Sequence, residues 1–513
     1  MMHADHDACY KALQARDARF DGCFFIGVAS TGIYCRPVCR VKVPKQVNCR
    51  FFGHAAQAEA AGFRPCMRCR PELAPHSLIW STQDATHTLA LQAAHLLDTC
   101  WQDGTSADAK VSMTALATRL GVSDRHLRRI FEAHLGVSPL QYLQTRRLLC
   151  AKQLLTDSYL SMQDIATTSG FASVRRFNAA FVAHYRFNPT QLRRAGRDQA
   201  APSSGTPSGR QIFANTFASQ PIKLAYRPPY DVQAMLDFFQ RRQISAMESV
   251  AAHAYPNSIL RTFSINFGGK THAGWLRATF DTPRALVLLH VSDSLHPALP
   301  AVLARVRSAL DLDADPQAID AVLGTAFPNS AGLRVPGSLD GFEVAVRAIV
   351  GQQVTVAAGR TLTQRVVDTF GAPIATPWPE LTRLFPTPHT LAQAPPSALG
   401  ELGITRQRQT ALITLSQAVA SGQLNLNTPV HALETIEQLK AFPGIGDWTA
   451  HYIAMRALRW PDAFPAGDVA LHNALGIRDE KNPARAAQAA SQAWRPWRSY
   501  AVLRAWHRSL SNQ

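Results

Sequence analysis

All nine cysteines of this 513-residue chain, at positions 9, 23, 35, 39, 49, 66, 69, 100 and 150, lie within its first 150 residues. An odd number crowded at one end does not build a disulfide framework and points to metal binding or catalysis. Four carry ligand spacing: Cys35 and Cys39 as C-x3-C, then 26 intervening residues, then Cys66 and Cys69 as C-x2-C. Two close pairs held apart by a small domain's worth of chain suit one tetrahedral, four-thiolate Zn2+ ion that is at least partly structural. Cys9, Cys23, Cys49, Cys100 and Cys150 fit no such spacing and read as buried or incidental thiols. No cysteine follows residue 150, so the remainder of the chain cannot hold an iron–sulfur cluster.

The cluster also carries a reactive expectation. Four thiolates on one Zn2+ ion leave a formal negative charge, and Arg36, Arg40, Arg64, Arg68 and Arg70 surround it in sequence. Metal and guanidinium groups keep sulfur in its nucleophilic thiolate form at neutral pH. The stretches TGIYCRPVCR and AGFRPCMRCRP closely resemble the N-terminal domain of Ada-type methylation-response proteins. That resemblance implies that Cys35 takes a methyl group from a methylphosphotriester in DNA, with Cys39, Cys66 and Cys69 as the remaining ligands. Methylation turns a thiolate into a thioether and removes a negative charge facing the DNA backbone, so binding to DNA tightens.

Charge sets the class of partner. The formal net charge is +17 and the pI about 9.8. Residues 1–200 hold 25 Lys+Arg against 15 Asp+Glu, a net of +10, and the rest carries +7. Both parts are basic, which favours double-stranded nucleic acid over a membrane. With no signal peptide or bilayer-length apolar run in view, a cytoplasmic, nucleoid-associated protein with reduced thiols is expected. The length calls for three or four domains.

Residues 114–131 have the apolar spacing and central Gly121 of a helix-turn-helix. Ser123 and Asp124 can cap its second helix, whose polar face offers Arg125, His126, Arg128 and Arg129. Residues 162–181 repeat the design around Gly170, with Arg175, Arg176 and Asn178 facing outward, and a helical run over 139–155 joins the two. The pair resembles the AraC-type transcription factor domain, which implies promoter DNA and RNA polymerase as partners and two recognition helices for successive major grooves. Residues 196–209 are rich in Pro, Gly and Ser, and 196–220 reads as a flexible linker. Ada-type proteins continue with an alkylguanine methyltransferase, whose cysteine nucleophile is missing from this chain beyond residue 150.

The third part turns on LKAFPGIGDWTA (439–450), followed by Gly467–Asp468. Two helical patterns meet at Pro443–Gly444–Ile445–Gly446. The glycines permit positive φ and close approach, and the next helix starts with free N–H groups suited to a DNA phosphate. Asp468 precedes a short helix over 469–475, so it can cap that helix and still face a cleft. This combination looks like the helix-hairpin-helix glycosylases. RPPYD, LRVPGSLDGFEVAVRAIVGQQV, FPTPHTLA and WRPWRSYAVLRAW extend the likeness to AlkA-type 3-methyladenine glycosylases across most of residues 221–513.

That resemblance implies excision of alkylated purines, with Asp468 stabilising an oxocarbenium-like sugar or aligning water. Trp448, Tyr452 and Trp506 match the aromatic pocket, and Phe238 is a further candidate for its wall. Trp448 replaces the Schiff-base lysine of strand-cutting relatives, so only base removal is expected. Gln353 occupies the place of the apolar wedge, and His507 replaces an aromatic neighbour of Trp506. The carbonyls of Lys440, Phe442 and Ile445 would hold a monovalent cation. A regulator that binds damaged DNA without excising anything is the rival reading.

The expected architecture is multidomain. A small α+β zinc domain (1–78) precedes an all-α double helix-turn-helix domain (85–195) and the linker (196–220). An α+β (TBP-like) subdomain (221–296) then leads into an all-α helix-hairpin-helix glycosylase domain (297–513).

Overall fold

The computed structural model describes residues 6–76, 85–99, 112–198, 221–427 and 432–511. The zinc segment opens with α1 (His6–Ala15), β1 (Phe25–Val28), β2 (Ile33–Cys35), β3 (Cys49–Phe52), α2 (Ala55–Ala60) and β4 (Arg64–Pro65). Its sheet runs β3-β1-β2-β4. β2 and β4 pair in parallel, Ile33 opposite Arg64 and Tyr34 opposite Pro65, and the Cys66 N–H donates to the Tyr34 carbonyl at 2.9 Å. This register brings the two cysteine pairs to the same strand ends. Phe25, Tyr34, Ala58 and Phe63 fill one face of the sheet, and Cys9, Leu13, Phe24 and Ile26 the other.

The next helices are α3 (Ala85–Thr99), α4 (Met113–Arg119), α5 (Asp124–Leu135), α6 (Pro139–Asp157), α7 (Met162–Thr168), α8 (Val174–Tyr185) and α9 (Pro189–Asp198). α4–α5 and α7–α8 are the two expected helix-turn-helix units. Each turn contains a left-handed glycine, Gly121 (φ 68°) and Gly170 (φ 80°), where any side chain would be strained. Each second helix starts on a serine cap: Ser123 Oγ accepts from His126 N, and Ser173 Oγ from Arg176 N, both at 3.2 Å. α9 runs to Asp198, three residues past the expected end of the helical domain at 195, and the rest of the expected linker lies outside the described residues.

The zinc segment is fastened to α6, the helix between the two units. Arg70 grips Asp157 through two N–H donors at 2.7 and 2.9 Å. Lys152 and Glu72 form an ion pair with both side chains 1% exposed. Thr145 Oγ1 donates to Glu59 Oε2 at 2.8 Å, and the Tyr34 hydroxyl donates to Glu59 Oε1 at 3.0 Å. Buried charge is stable only when paired in this way.

The remaining chain begins with β5 (Ile222–Ala225), α10 (Val232–Gln240), β6 (Glu248–Val250), β7 (Ser258–Phe267), β8 (Lys270–Asp281) and β9 (Leu286–Val291). These strands form a sheet in the order β5-β9-β8-β7-β6. Sequence patterning anticipates α10 and the three longer strands. It misses β5 and β6, which are too short for alternation to register. Helices follow: α11 (Leu299–Ala309), α12 (Pro316–Leu323), α13 (Gly341–Val350), α14 (Val356–Phe370), α15 (Pro388–Ala392), α16 (Pro396–Glu401) and α17 (Arg406–Ala420). The last five are α18 (Ala432–Lys440), α19 (Asp447–Arg456), α20 (Val469–Leu475), α21 (Pro483–Ala490) and α22 (Arg498–Ser511). Among the described residues no helix is long and apolar enough to cross a membrane.

By internal packing the chain divides into two compact units. The first comprises Met1–Pro228, Ile265–His272 and Pro283–Ala301; the second comprises Pro229–Ser264, Ala273–Thr282 and Val302–Gln513. Arg227, whose side chain is fully buried, belongs to the first unit. It donates to the carbonyls of Asp21 and His76, both at 2.8 Å, and of Pro75 at 3.3 Å.

Candidate active site and DNA-binding elements

In the second unit α18 and α19 form the hairpin. Gly444 has φ 80° and packs so closely that an added Cβ would sit 3.2 Å from Ala411 Cβ. Gly446 departs from the expectation: at φ −89° and ψ 179° it is extended backbone, serving as the N-cap of α19. No side chain caps that helix, and an added Cβ at Gly446 would meet nothing within 4 Å. The open N-terminus leaves room for an anion against free N–H groups. Ile445 is buried and pins the turn. Of the carbonyls expected to hold a monovalent cation, that of Phe442 accepts the Ile445 N–H at 3.1 Å.

Beside the hairpin lies a cleft of about 2260 Å³, lined by Phe238, Gln353, Trp448, Tyr452, Asp468 and Trp506 among others. Asp468 caps α20 by accepting from Leu471 N at 2.7 Å on Oδ1. The indole N–H of Trp506 donates to the same oxygen at 2.9 Å, and that of Trp448 to Oδ2 at 2.8 Å. Three donors thus fix a carboxylate that is 8% exposed. Trp448 and Tyr452 stack at 5.1 Å with planes 13° apart, and Trp506 tilts against Tyr452 at 6.3 Å. These four residues, from α19, α22 and the cap of α20, form one constellation. His507 lines the same cleft.

Phe238 reaches the wall through two cations that motif reading missed. Arg242 lies over its ring at 3.8 Å and Arg456 at 4.8 Å. Arg456 is committed elsewhere as well, donating to the Pro336 and Gly337 carbonyls and to the Tyr452 hydroxyl at 2.7 Å. Burial, reinforced by Arg456, pushes the Arg242 guanidinium down to about 10. Burial would raise the Tyr452 phenol, but Arg456 and Arg242 beside it hold it below its ordinary value. The one available signal was spacing, since Phe238/Arg242 and Tyr452/Arg456 are both i, i+4 pairs. Gln352 was also missed: its amide donates to the Gly444 carbonyl at 2.8 Å and to Thr449 Oγ1 at 3.0 Å, joining the α13 end to the hairpin. Its neighbour Gln353 stands exposed at the α13–α14 turn with φ 52°, next to exposed Val354 and Val356.

In the first unit the sulfurs of Cys35, Cys39, Cys66 and Cys69 all lie within 4.8 Å of one another, with Cys39 and Cys66 at 4.0 Å. Ligands about 2.3 Å from one ion at tetrahedral angles have sulfurs separated by just under 4 Å, so the set fits Zn2+. Contact with Cys39 and Cys66 drives the Cys35 thiol far up, while contact with Cys35 and Cys39 drives Cys66 far down, a conflict that a divalent cation removes. The Arg36 N–H donates to Cys69 Sγ at 3.3 Å, while its guanidinium is buried on Asp21. Cys9 and Cys49 are buried and Cys23 and Cys150 half-buried, away from the cluster, and Cys100 lies outside the described residues.

On α5 Arg125, Arg128 and Arg129 are exposed and His126 half-buried; on α8 Arg175, Arg176 and Asn178 are exposed.

Four family models match in succession: Metal binding domain of Ada (8–72), Helix-turn-helix domain (116–195), AlkA N-terminal domain (221–340) and HhH-GPD superfamily base excision DNA repair protein (346–498). Together with the sites above they define a zinc-containing, DNA-binding protein of the base excision repair class. The "Probable bifunctional transcriptional activator/DNA repair enzyme AlkA" of Mycobacterium tuberculosis is 35% identical over 517 residues, covering 98% of this chain and 97% of its own. The chain belongs to that family of fused activator and repair proteins. The "DNA-3-methyladenine glycosylase 2" of Escherichia coli is 36% identical over 284 residues, 55% of this chain and 96% of its own. The "Bifunctional transcriptional activator/DNA repair enzyme Ada" of the same organism is 36% identical over 141 residues, 28% of this chain and 36% of its own.

Proposed function

We propose that the second unit hydrolyses the N-glycosidic bond of alkylated purines, of the 3-methyladenine and 7-methylguanine type, without cutting the strand. The supporting observation is the Asp468 carboxylate, held by Trp448, Trp506 and Leu471 at the cleft beside the hairpin. Ring-nitrogen alkylation makes the base cationic and its bond weak, so the site needs a flipped base, aromatic faces and one oriented negative charge. Asp468 supplies that charge to the sugar as the bond breaks, or aligns the attacking water. Trp448 has no amine with which to form a Schiff base, so the reaction ends at the abasic site. Gln353 fills the space left in the stack. Release of free 3-methyladenine from methylated duplex tests this reading. Wild-type protein should release it promptly and Asp468→Asn only at a much slower residual rate; equal absence from both leaves a protein that only binds damaged DNA.

The first unit is the sensor and regulator. Cys35, Cys39, Cys66 and Cys69 would hold Zn2+, which when bound would keep the Cys35 sulfur in its thiolate form. That thiolate attacks the methyl carbon of a methylphosphotriester, forming C–S as C–O breaks and the phosphodiester anion leaves with the electron pair. Loss of a negative charge tightens DNA binding, and the helix-turn-helix units then act at promoters with RNA polymerase, at the nucleoid. Mass spectrometry after incubation with methylated DNA should find one added methyl at Cys35; its absence leaves the cluster as structural zinc alone.

A further inference from the structure

The two helix-turn-helix units have the same architecture but expose different chemistry. Aligned on their caps, Ser123 and Ser173, α5 presents Arg125, Arg128, Arg129 and Glu132 where α8 presents Arg175, Asn178, Ala179 and Val182. Each set follows i, i+3, i+4 and i+7 spacing, so each is one stripe on one helix face. All eight residues are exposed, while Phe177, Phe181 and Tyr185 on the other side of α8 are fully buried. The α5 stripe is charged and partly self-paired: Arg128 contacts Asp124 at 2.7 Å, and Arg129 shares a hydrogen bond with His126 at 3.0 Å. The α8 stripe carries an amide and two apolar side chains. Val182 is 39% exposed, and among the described residues the Asn178 and Arg175 side chains have no hydrogen-bond or ion-pair partner.

A helix face exposed only to water gains nothing from valine, a weaker helix former than alanine or arginine. The surroundings identify the occupant, because exposed Arg175, Arg176 and Arg186 flank the apolar patch. The basic rim suits the backbone phosphates of DNA, and the small apolar patch with its amide matches the major-groove edge of an A·T pair, which offers the adenine N6/N7 pair and the thymine C5-methyl. We propose that α8 is the A·T-reading helix of this protein, with Asn178 on adenine and Val182 and Ala179 against thymine methyls. The charged stripe of α5 serves phosphates and G·C pairs. This assignment rests on the helix-turn-helix units binding DNA and adds which bases each one reads.

The test uses the full-length protein and begins by selecting duplexes from a randomised library. Each thymine of the selected site is then replaced by uracil, which removes only the methyl group. At one or two positions this replacement should weaken wild-type binding about fourfold, the effect of one buried methyl. Val182→Ala should bind the thymine duplex correspondingly more weakly and be indifferent to the replacement. Asn178→Ala should lose selection at a nearby adenine, on the order of tenfold. Enrichment of sites with no A·T requirement, or uracil effects that simply add to that of Val182→Ala, overturns the assignment while leaving DNA binding intact. Failure to enrich any sequence overturns the DNA-binding premise along with it. Unchanged selection by Val182→Ala also refutes the proposal, and would leave the stripe to a protein partner.

Discussion

Trp448→Phe separates two roles that one side chain performs. The substitution keeps an aromatic ring against Tyr452, which it stacks on at 5.1 Å, but deletes the N–H that donates to Asp468 Oδ2 at 2.8 Å. A hydrogen bond to a charged group is worth about 1.5–3 kcal/mol, and Asp468 keeps its other two donors, Trp506 and Leu471 N. If the indole acts by orienting the carboxylate toward the sugar, that energy appears in the barrier. Single-turnover excision should then slow by about 10- to 100-fold, each 1.36 kcal/mol being one power of ten. The assay is base release from methylated duplex at saturating enzyme, run as a double-mutant cycle with Asp468→Asn. In the Asp468→Asn background the further effect of Trp448→Phe should nearly vanish, because the group being oriented has lost its charge. Fully additive losses would refute this reasoning and assign Trp448 to base stacking alone. The cap is not at risk in this cycle, since Asn caps a helix about as well as Asp.

Three further outcomes are expected. Burial raises the Glu59 carboxyl to about 7 from an ordinary 4.5, so the folded first unit holds a proton that the unfolded chain releases. Its contribution to stability is present below pH 4.5 and lost as the pH rises to 7, and in thermal melts across that window Glu59→Gln should flatten the decline. Arg227→Met strands the carbonyls of Asp21, Pro75 and His76, at a cost of about 1–3 kcal/mol for each group left unpaired. It should lower the melting temperature of the first unit without changing zinc stoichiometry, measured by scanning calorimetry and metal analysis. Gln353→Leu puts an apolar wedge on the exposed turn at φ 52°, and should tighten binding to duplex containing an abasic-site analogue in a titration.

Much of this molecule is legible in its residues because its signals are local. Ser123, Ser173 and Asp468 each stand immediately before a helix that they cap, so short-range hydrogen-bonding chemistry reveals them. The C-x3-C and C-x2-C pairs announce a metal because ligand spacing is itself a local property. What lay beyond the sequence depends on groups far apart in the chain. Nothing in the spacing of Arg227 connects it to Asp21 and His76, or that of Arg70 to Asp157. No pattern tells that Trp506 and Trp448 share one carboxylate, or that Gly446 is extended while Gly444 is left-handed. The sequence by itself determined the cysteine ligands, the capped helices and the chemistry available at each turn. Only the tertiary structure decided which of those groups meet, because buried polar atoms are satisfied by whichever partners the packed chain brings within reach.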